Sequence, residues 1–152
     1  MKKLFTMLTV VAISTTMSFA QSGTFALGVN SDFAETAWTQ YSIDPTVGYF
    51  ISDNILVGTG FSMTSGDNSS ETTEISPFCR YYLNGNLYAM AGISMMTVGD
   101  ADAVTDIDAG VGLSLMWNDK VAIEPGFGIT LGDENMTLAL SIGISIRLGM
   151  DE

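Results

Sequence analysis

The last stretch of the chain constrains the fold most. From Met136 to Leu148, large apolar residues alternate with small or polar ones without a break. Met136, Leu138, Leu140, Ile142, Ile144, Ile146 and Leu148 share one phase; Thr137, Ala139, Ser141, Gly143, Ser145 and Arg147 share the other. Successive side chains of an extended chain point to opposite faces, so a period of two reads as a strand. The run is thirteen residues long, whereas strands of soluble proteins usually hold about five or six. A tilted strand crossing a bilayer needs about 9–11 residues. A face of small and polar residues suits the crowded interior of a narrow barrel.

The opposite end reads as a secretory signal. Lys2 and Lys3 form a basic start, and Leu4 to Ile13 is an apolar run softened by Thr6 and Thr9. Ser18-Phe19-Ala20 sets small residues at the two positions a signal peptidase reads. Cleavage before Gln21 is expected, giving a signal peptide over residues 1–20 and one barrel domain over residues 21–152. The alternative is a transmembrane anchor, but the run is short and rich in Thr and Ser for that role. No cysteine lies near the cleavage point to carry a lipid, and no second apolar run is long enough for a spanning helix.

Composition narrows the function classes. Mean hydropathy is positive although the formal net charge is −12. Without the signal, Arg80, Lys120 and Arg147 stand against seventeen acidic residues, a balance of −14. Nucleic-acid binding needs a basic footprint, so nucleic acid is not an expected partner. An apolar yet acidic chain fits a lipid-facing band with acidic rims; a soluble acidic β-protein is the alternative. Cys79 is alone, which excludes an internal disulfide framework. The absence of histidine removes Ser-His-Asp and Cys-His catalysis and the commonest zinc ligand.

Seven earlier segments repeat the alternation, near residues 23–30, 40–51, 55–64, 73–83, 87–97, 106–117 and 121–131. Phe25, Val47, Val57, Ile75, Ile93, Val111 and Ile123 mark the outward phase, one per segment. Most strand glycines, Gly48, Gly58, Gly110 and Gly112 among them, share the inward phase. Glycine weakens an ordinary strand, but on the inner wall of a tight cylinder it leaves room. Pro45 and Pro77 occupy positions that normally donate to the ladder, so bulges or weak pairing are expected there.

The connections alternate in kind. Ser52-Asp53-Asn54, Asn84-Gly85-Asn86 and Asn118-Asp119-Lys120 are short hairpin turns, Asn-Gly being the strongest of these signals. The stretches 31–39, 65–72, 99–105 and 132–135 are longer or more acidic. The expected fold is therefore all-β, an eight-stranded antiparallel up-and-down transmembrane β-barrel. Short turns and both termini would face the periplasm. Tyr49, Phe50, Tyr81, Tyr82, Tyr88 and Trp117 lie beside the short turns, and Phe33, Trp38 and Tyr41 near the first long loop. Trp38, Tyr41, Tyr49, Tyr81, Tyr88 and Trp117 are the expected interface aromatics, since amphipathic rings favour the membrane–water boundary.

The stretches Pro77-Phe78-Cys79-Arg80-Tyr81-Tyr82-Leu83-Asn84, Ala109-Gly110-Val111-Gly112-Leu113 and Ile142-Gly143-Ile144-Ser145-Ile146-Arg147-Leu148 carry a family resemblance. Over the whole mature length the chain resembles small eight-stranded outer-membrane β-barrels of the porin-family or OmpA/OmpX-like kind. The resemblance implies an outer-membrane location, outer-membrane lipids and the barrel assembly machinery as partners, and an interior filled by an ionic network. Such barrels typically end in an aromatic residue; here Leu148 is the terminal apolar signal before Gly149-Met150-Asp151-Glu152.

The inward phase holds Asp44, Glu74, Arg80, Asp108, Glu124 and Arg147, the expected lumen ionic network. Position relative to the turns puts Arg80, Glu124 and Arg147 in the periplasmic half and Asp44, Glu74 and Asp108 near the outer mouth. Plugging of the lumen is the main reading and a gated ion path the sharper alternative. Asp100, Asp102 and Asp106 form a calcium-like cluster without the spacing or glycine of an EF-hand loop, so solvated loop acidity is the preferred reading. Methionines such as Met90, Met95, Met96 and Met116 fit apolar packing better than copper ligation. No cofactor motif and no catalytic set is recognisable. The expectation is a monomeric, non-enzymatic membrane barrel with a structural or surface-interaction role. A narrow pore for small solutes or ions is one alternative; a secreted soluble barrel binding a small apolar ligand is another. The second would keep its large apolar residues inside.

Overall fold

The computed structural model describes residues 22–34, 44–66, 69–84, 86–99, 102–132 and 136–149. Among the described residues, nine strand segments follow one another: β1 (Phe25–Ala34), β2 (Asp44–Ser52), β3 (Ile55–Gly66), β4 (Ser69–Tyr82), β5 (Leu87–Val98), β6 (Val104–Leu113), β7 (Leu115–Met116), β8 (Val121–Leu131) and β9 (Met136–Leu148). β6 and β7 are two parts of one strand, interrupted at Ser114 and both paired with β8, so the wall has eight staves. Each strand pairs antiparallel with its sequence neighbour, and β1 pairs with β9 from Phe25↔Leu148 to Ala34↔Ala139. That last seam closes the sheet and leaves no edge. Closure is what allows strands to sit in lipid, where an unpaired backbone group has no water to turn to.

The alternation translates directly into two faces. In β9, Ile142, Ile144 and Ile146 are 52%, 55% and 45% exposed, while Ser145 and Arg147 between and beyond them are 6% and 2% exposed. Phe25, Val47, Phe61, Ile75, Ile93, Val111 and Phe127 continue the outward apolar band around the wall. In water so large an apolar surface would aggregate; against hydrocarbon it is the matching face. This distribution is the reverse of a soluble ligand-binding barrel.

All three prolines pair on one side and interrupt the ladder on the other, because each lacks the N–H that the second neighbour needs. Pro45 meets Val29 of β1, but rungs to β3 begin at Thr46. Pro77 meets Thr59 of β3, but rungs to β5 skip from Ile75↔Met95 to Phe78↔Gly92 without changing register. Weak pairing, rather than a bulge, is what the first two produce. Pro125 meets Ile142 of β9, and on its other side the rungs pass from Gly112↔Gly126 to Leu115↔Ile123. The gap between β6 and β7 falls there, and the Ser114 N–H turns instead to the carbonyl of Asn86 at 2.7 Å.

Strand limits differ from the sequence expectation mainly at the loop end. β4 starts at Ser69 and meets β3 through Gly66↔Ser69, so much of the stretch expected as a loop is a tall hairpin. Apolar alternation ends where the lipid ends, but β pairing does not have to stop there. The turn end follows the local chemistry: the Asn118 side-chain carbonyl accepts from the N–H groups of Lys120 and Val121 at 2.8 and 2.7 Å. That is the Asx geometry which lets asparagine close a turn.

Candidate functional site

Among the described residues, charged side chains converge in the lumen. Near the turn end, Arg80 of β4 donates from Nη1 to Glu124 Oε2 of β8 at 2.8 Å, an ion pair that bridges the lumen. Glu124 Oε1 accepts from the Ser114 hydroxyl at 3.0 Å, and the same hydroxyl oxygen accepts from Arg147 Nη2 at 2.9 Å. The four side chains thus form a relay, Arg80–Glu124–Ser114–Arg147, joined by three hydrogen bonds. All four are buried. The sequence places Arg80, Glu124 and Arg147 in one half of the lumen; the structure joins Glu124 to Arg147 through the Ser114 hydroxyl. Ser114 was not among the expected site residues, although it shares the inward phase of Gly110 and Gly112.

Aromatic rings pack around both guanidinium groups. Arg80 Cζ lies 5.0 Å from the Phe78 ring centre and 4.7 Å from that of Tyr88. Arg147 Cζ lies 5.3 Å from Phe50 and 5.9 Å from Tyr82. A cation over a ring face is attracted by the ring quadrupole, more strongly once water is gone. Phe50, Tyr82 and Tyr88 stack on one another at 5.6 Å between successive ring centres, with Leu56 and Ala26 completing the core. Tyr88 is therefore not an interface aromatic: it is 5% exposed and points into the lumen. Proximity to a turn suggested the interface, but parity decides the face, and Tyr88 is in phase with Gly92. Phe50 and Tyr82, which also lie beside short turns, are buried in the lumen as well. Tyr49, Tyr81 and Trp117 do face outward, at 39%, 49% and 78% exposure. Trp38 and Tyr41 lie outside the described residues.

Glycine makes the ring packing possible. A Cβ on Gly112 would collide with the Tyr88 ring, and one on Gly58 would sit 2.7 Å from Phe78 Cζ and 2.5 Å from the Val47 carbonyl. After these rings and guanidiniums are in place, a void of about 10 Å³ remains in this half.

The loop-end half is different. A cavity of about 360 Å³ opens above Arg80 and Tyr88, lined by Asp44, Glu74, Asp106, Asp108, Met90 and Met96 among others. Its carboxylates hold local partners: the Ser76 hydroxyl donates to Glu74 at 2.9 Å and the Thr130 hydroxyl to Asp108 at 2.7 Å. Glu74 and Asp108 thus pair with hydroxyls rather than with the arginines, and Asp44 lines the same cavity. Asp106 is half-buried on the cavity wall, Asp102 is exposed, and Asp100 lies outside the described residues. Among the described residues, no three His, Cys, Asp or Glu side chains are grouped to hold a metal ion.

Comparison with known proteins finds likeness in structure alone. No family model matches the chain, and no curated protein matches it in sequence. The N-terminal β-barrel domain of Pseudomonas aeruginosa OprF superposes with a TM-score of 0.66 at 11% identity, covering 85% of this chain and 100% of that one. The outer membrane protein OprG of the same organism gives 0.55 at 11% identity, covering 88% and 99%. The outer membrane protein Ail of Yersinia pestis in a phospholipid nanodisc gives 0.55 at 12% identity, covering 84% and 100%. A de novo designed transmembrane β-barrel scores 0.56 at 13% identity. The chain has the eight-stranded outer-membrane β-barrel fold. A designed backbone matching as well as natural ones marks this as a likeness of geometry, not of task.

Proposed function

We propose that this barrel resides as a monomer in an outer membrane, after loss of residues 1–20, in a structural or surface-interaction role with its lumen closed to solutes. The observation that carries the closed lumen is the void of about 10 Å³ around the Arg80–Glu124–Ser114–Arg147 relay, too small to pass more than a single water. Opening it would separate charges in a poorly solvated space, where their attraction is strong. The lipid-facing band supports the location, and its partners there are outer-membrane lipids and the machinery that inserts barrels. The Ser114–Glu124 contact is structural in this reading. Arg80 holds the carboxylate as an anion partner, and there is no room beside the hydroxyl for a substrate.

The narrow-pore reading keeps one observation in its favour, the acidic cavity of about 360 Å³, which would gather cations at the mouth. Planar-bilayer recording separates the two. A closed lumen gives no large, stable conductance, whereas steady conductance from the unmodified protein overturns closure. Location is tested by membrane fractionation with a heat-modifiability gel. A folded, monodisperse protein in the soluble periplasm without detergent overturns the membrane reading.

A further inference from the structure

The relay meets the wall where a seam is interrupted. Rungs between β6 and β8 stop at Gly112↔Gly126, and those between β7 and β8 resume at Leu115↔Ile123. The register is the same on both sides of the interruption, so Leu113 stands opposite Pro125 and Ser114 opposite Glu124. In the adjoining hairpin the Trp117 N–H donates to the Val121 carbonyl at 2.8 Å. Hydrogen-bonded and non-hydrogen-bonded pairs alternate along an antiparallel ladder. Counted from Trp117 and Val121, Leu113 and Pro125 fall on a hydrogen-bonded pair, and Ser114 and Glu124 on a non-hydrogen-bonded one. Pro125 has no N–H, so the bond this pair owes to the Leu113 carbonyl does not form. Leu113 shares the outward phase of Val111, on the face where lipid supplies no replacement donor.

The next pair is joined by its side chains. Residues of a non-hydrogen-bonded pair stand closer than those of a hydrogen-bonded one, and here the Ser114 hydroxyl donates to Glu124 Oε1 at 3.0 Å. The same hydroxyl oxygen accepts from Arg147 Nη2 on β9, and Glu124 Oε2 is held by Arg80 on β4. A side-chain bond thus spans the seam one position from the missing backbone bond, and it is anchored across the lumen. The interruption beside Pro77 is built otherwise, for the Ser76 hydroxyl there donates to Glu74 of its own strand.

We propose that Ser114 and Glu124 are a clasp for the proline-broken seam between β6–β7 and β8, so that this stretch of wall and the plug open as one unit. The inference deepens the closed-lumen reading and rests on it for the plug. Beyond the break, β7 is held to β8 by two rungs and its hairpin, so it is the part that swings when the clasp lets go.

The test is residue-resolved amide hydrogen exchange on the full chain folded in detergent, which reads local opening. Ser114→Ala should speed exchange at Leu115 and Ile123 about tenfold, the value of one hydrogen bond. Ile75 and Cys79, beside the Pro77 interruption, should keep their rates. Arg80→Met, acting from the other side of the lumen, should speed the same two amides. Pro125→Ala supplies the missing N–H; alone it should slow Leu115 and Ile123, and with Ser114→Ala it should cancel most of the acceleration. Unchanged rates at Leu115 and Ile123 in Ser114→Ala overturn the proposal. So does equal acceleration at all four amides, the mark of a general loss of stability, and so does a Ser114→Ala response that survives Pro125→Ala. Should Ser114→Ala or Arg80→Met not fold, Pro125→Ala alone decides: slower exchange at the two amides supports the clasp and unchanged exchange overturns it. Planar-bilayer recording of the unmodified chain keeps the two readings apart. Steady conductance with the expected exchange pattern rejects the closed lumen and keeps the clasp, whereas silence with unchanged exchange rejects the clasp alone.

Discussion

The two halves of the lumen are built from the same wall yet differ in every respect that matters for solvent. At the turn end, Phe50, Leu56, Tyr82 and Tyr88 surround two arginines and a glutamate and leave about 10 Å³. At the loop end, Asp44, Glu74, Asp106 and Asp108 line about 360 Å³. Charges in the first half reach across to other strands, as Arg80 does to Glu124; charges in the second reach a nearby hydroxyl, as Glu74 does to Ser76. The difference teaches that inward-facing charge has no single meaning. Among rings and without water, an ion must find an ion. Beside an open cavity a carboxylate such as Glu74 is held by a nearby hydroxyl and needs little from the opposite wall.

The sharpest way to break this contrast is to remove its central carboxylate. Glu124→Ala strands two buried arginines, and unfolding in detergent should show a loss of about 3–5 kcal/mol. A loss near zero would mean that the turn-end half is as wet as the other. Next in size is the wall itself. Ile142→Arg, at the centre of β9 and outward, should cost about 2–4 kcal/mol in lipid vesicles. Ser141→Arg, whose side chain enters the larger cavity, should cost less. A spin label at Ser141 that meets lipid more readily than one at Ile142 would reject the facing.

The relay predicts a smaller effect. Ser114→Ala removes the hydroxyl between Glu124 and Arg147 and should cost about 1–3 kcal/mol, because both partners stay buried with a bond unmade. Smallest of all, Glu74→Ala at the open end should change stability by no more than about 0.5 kcal/mol, as solvated substitutions do. Equal losses at Ser114 and Glu74 would erase the distinction between the halves.

Much of the fold was legible because alternation is a local property. Ile144 and Ser145 differ in face by the geometry of the extended chain alone, and the Asn118 turn closes through its own side chain. Less of the site was legible. Tyr88 was misplaced by weighing nearness to a turn above parity, an error the sequence itself could correct. The break at Ser114 had a local cause in Pro125, but its site lies on another strand, eleven residues away, and register is needed to find it.

The sequence by itself determined the strands, their number, their two faces and the sign of the charge in each half of the lumen. The structure decided which charges meet. Arg80 reaches Glu124 across the lumen, while Arg147, on the strand adjacent to Glu124, is joined to it through Ser114. That outcome depends on the stagger accumulated around eight staves and on the room left by glycines under the rings. A one-residue slip at a single seam would turn a face inside out or move a partner out of reach. Parity is fixed by the geometry of each residue; partnership across a closed wall is fixed by all the seams at once.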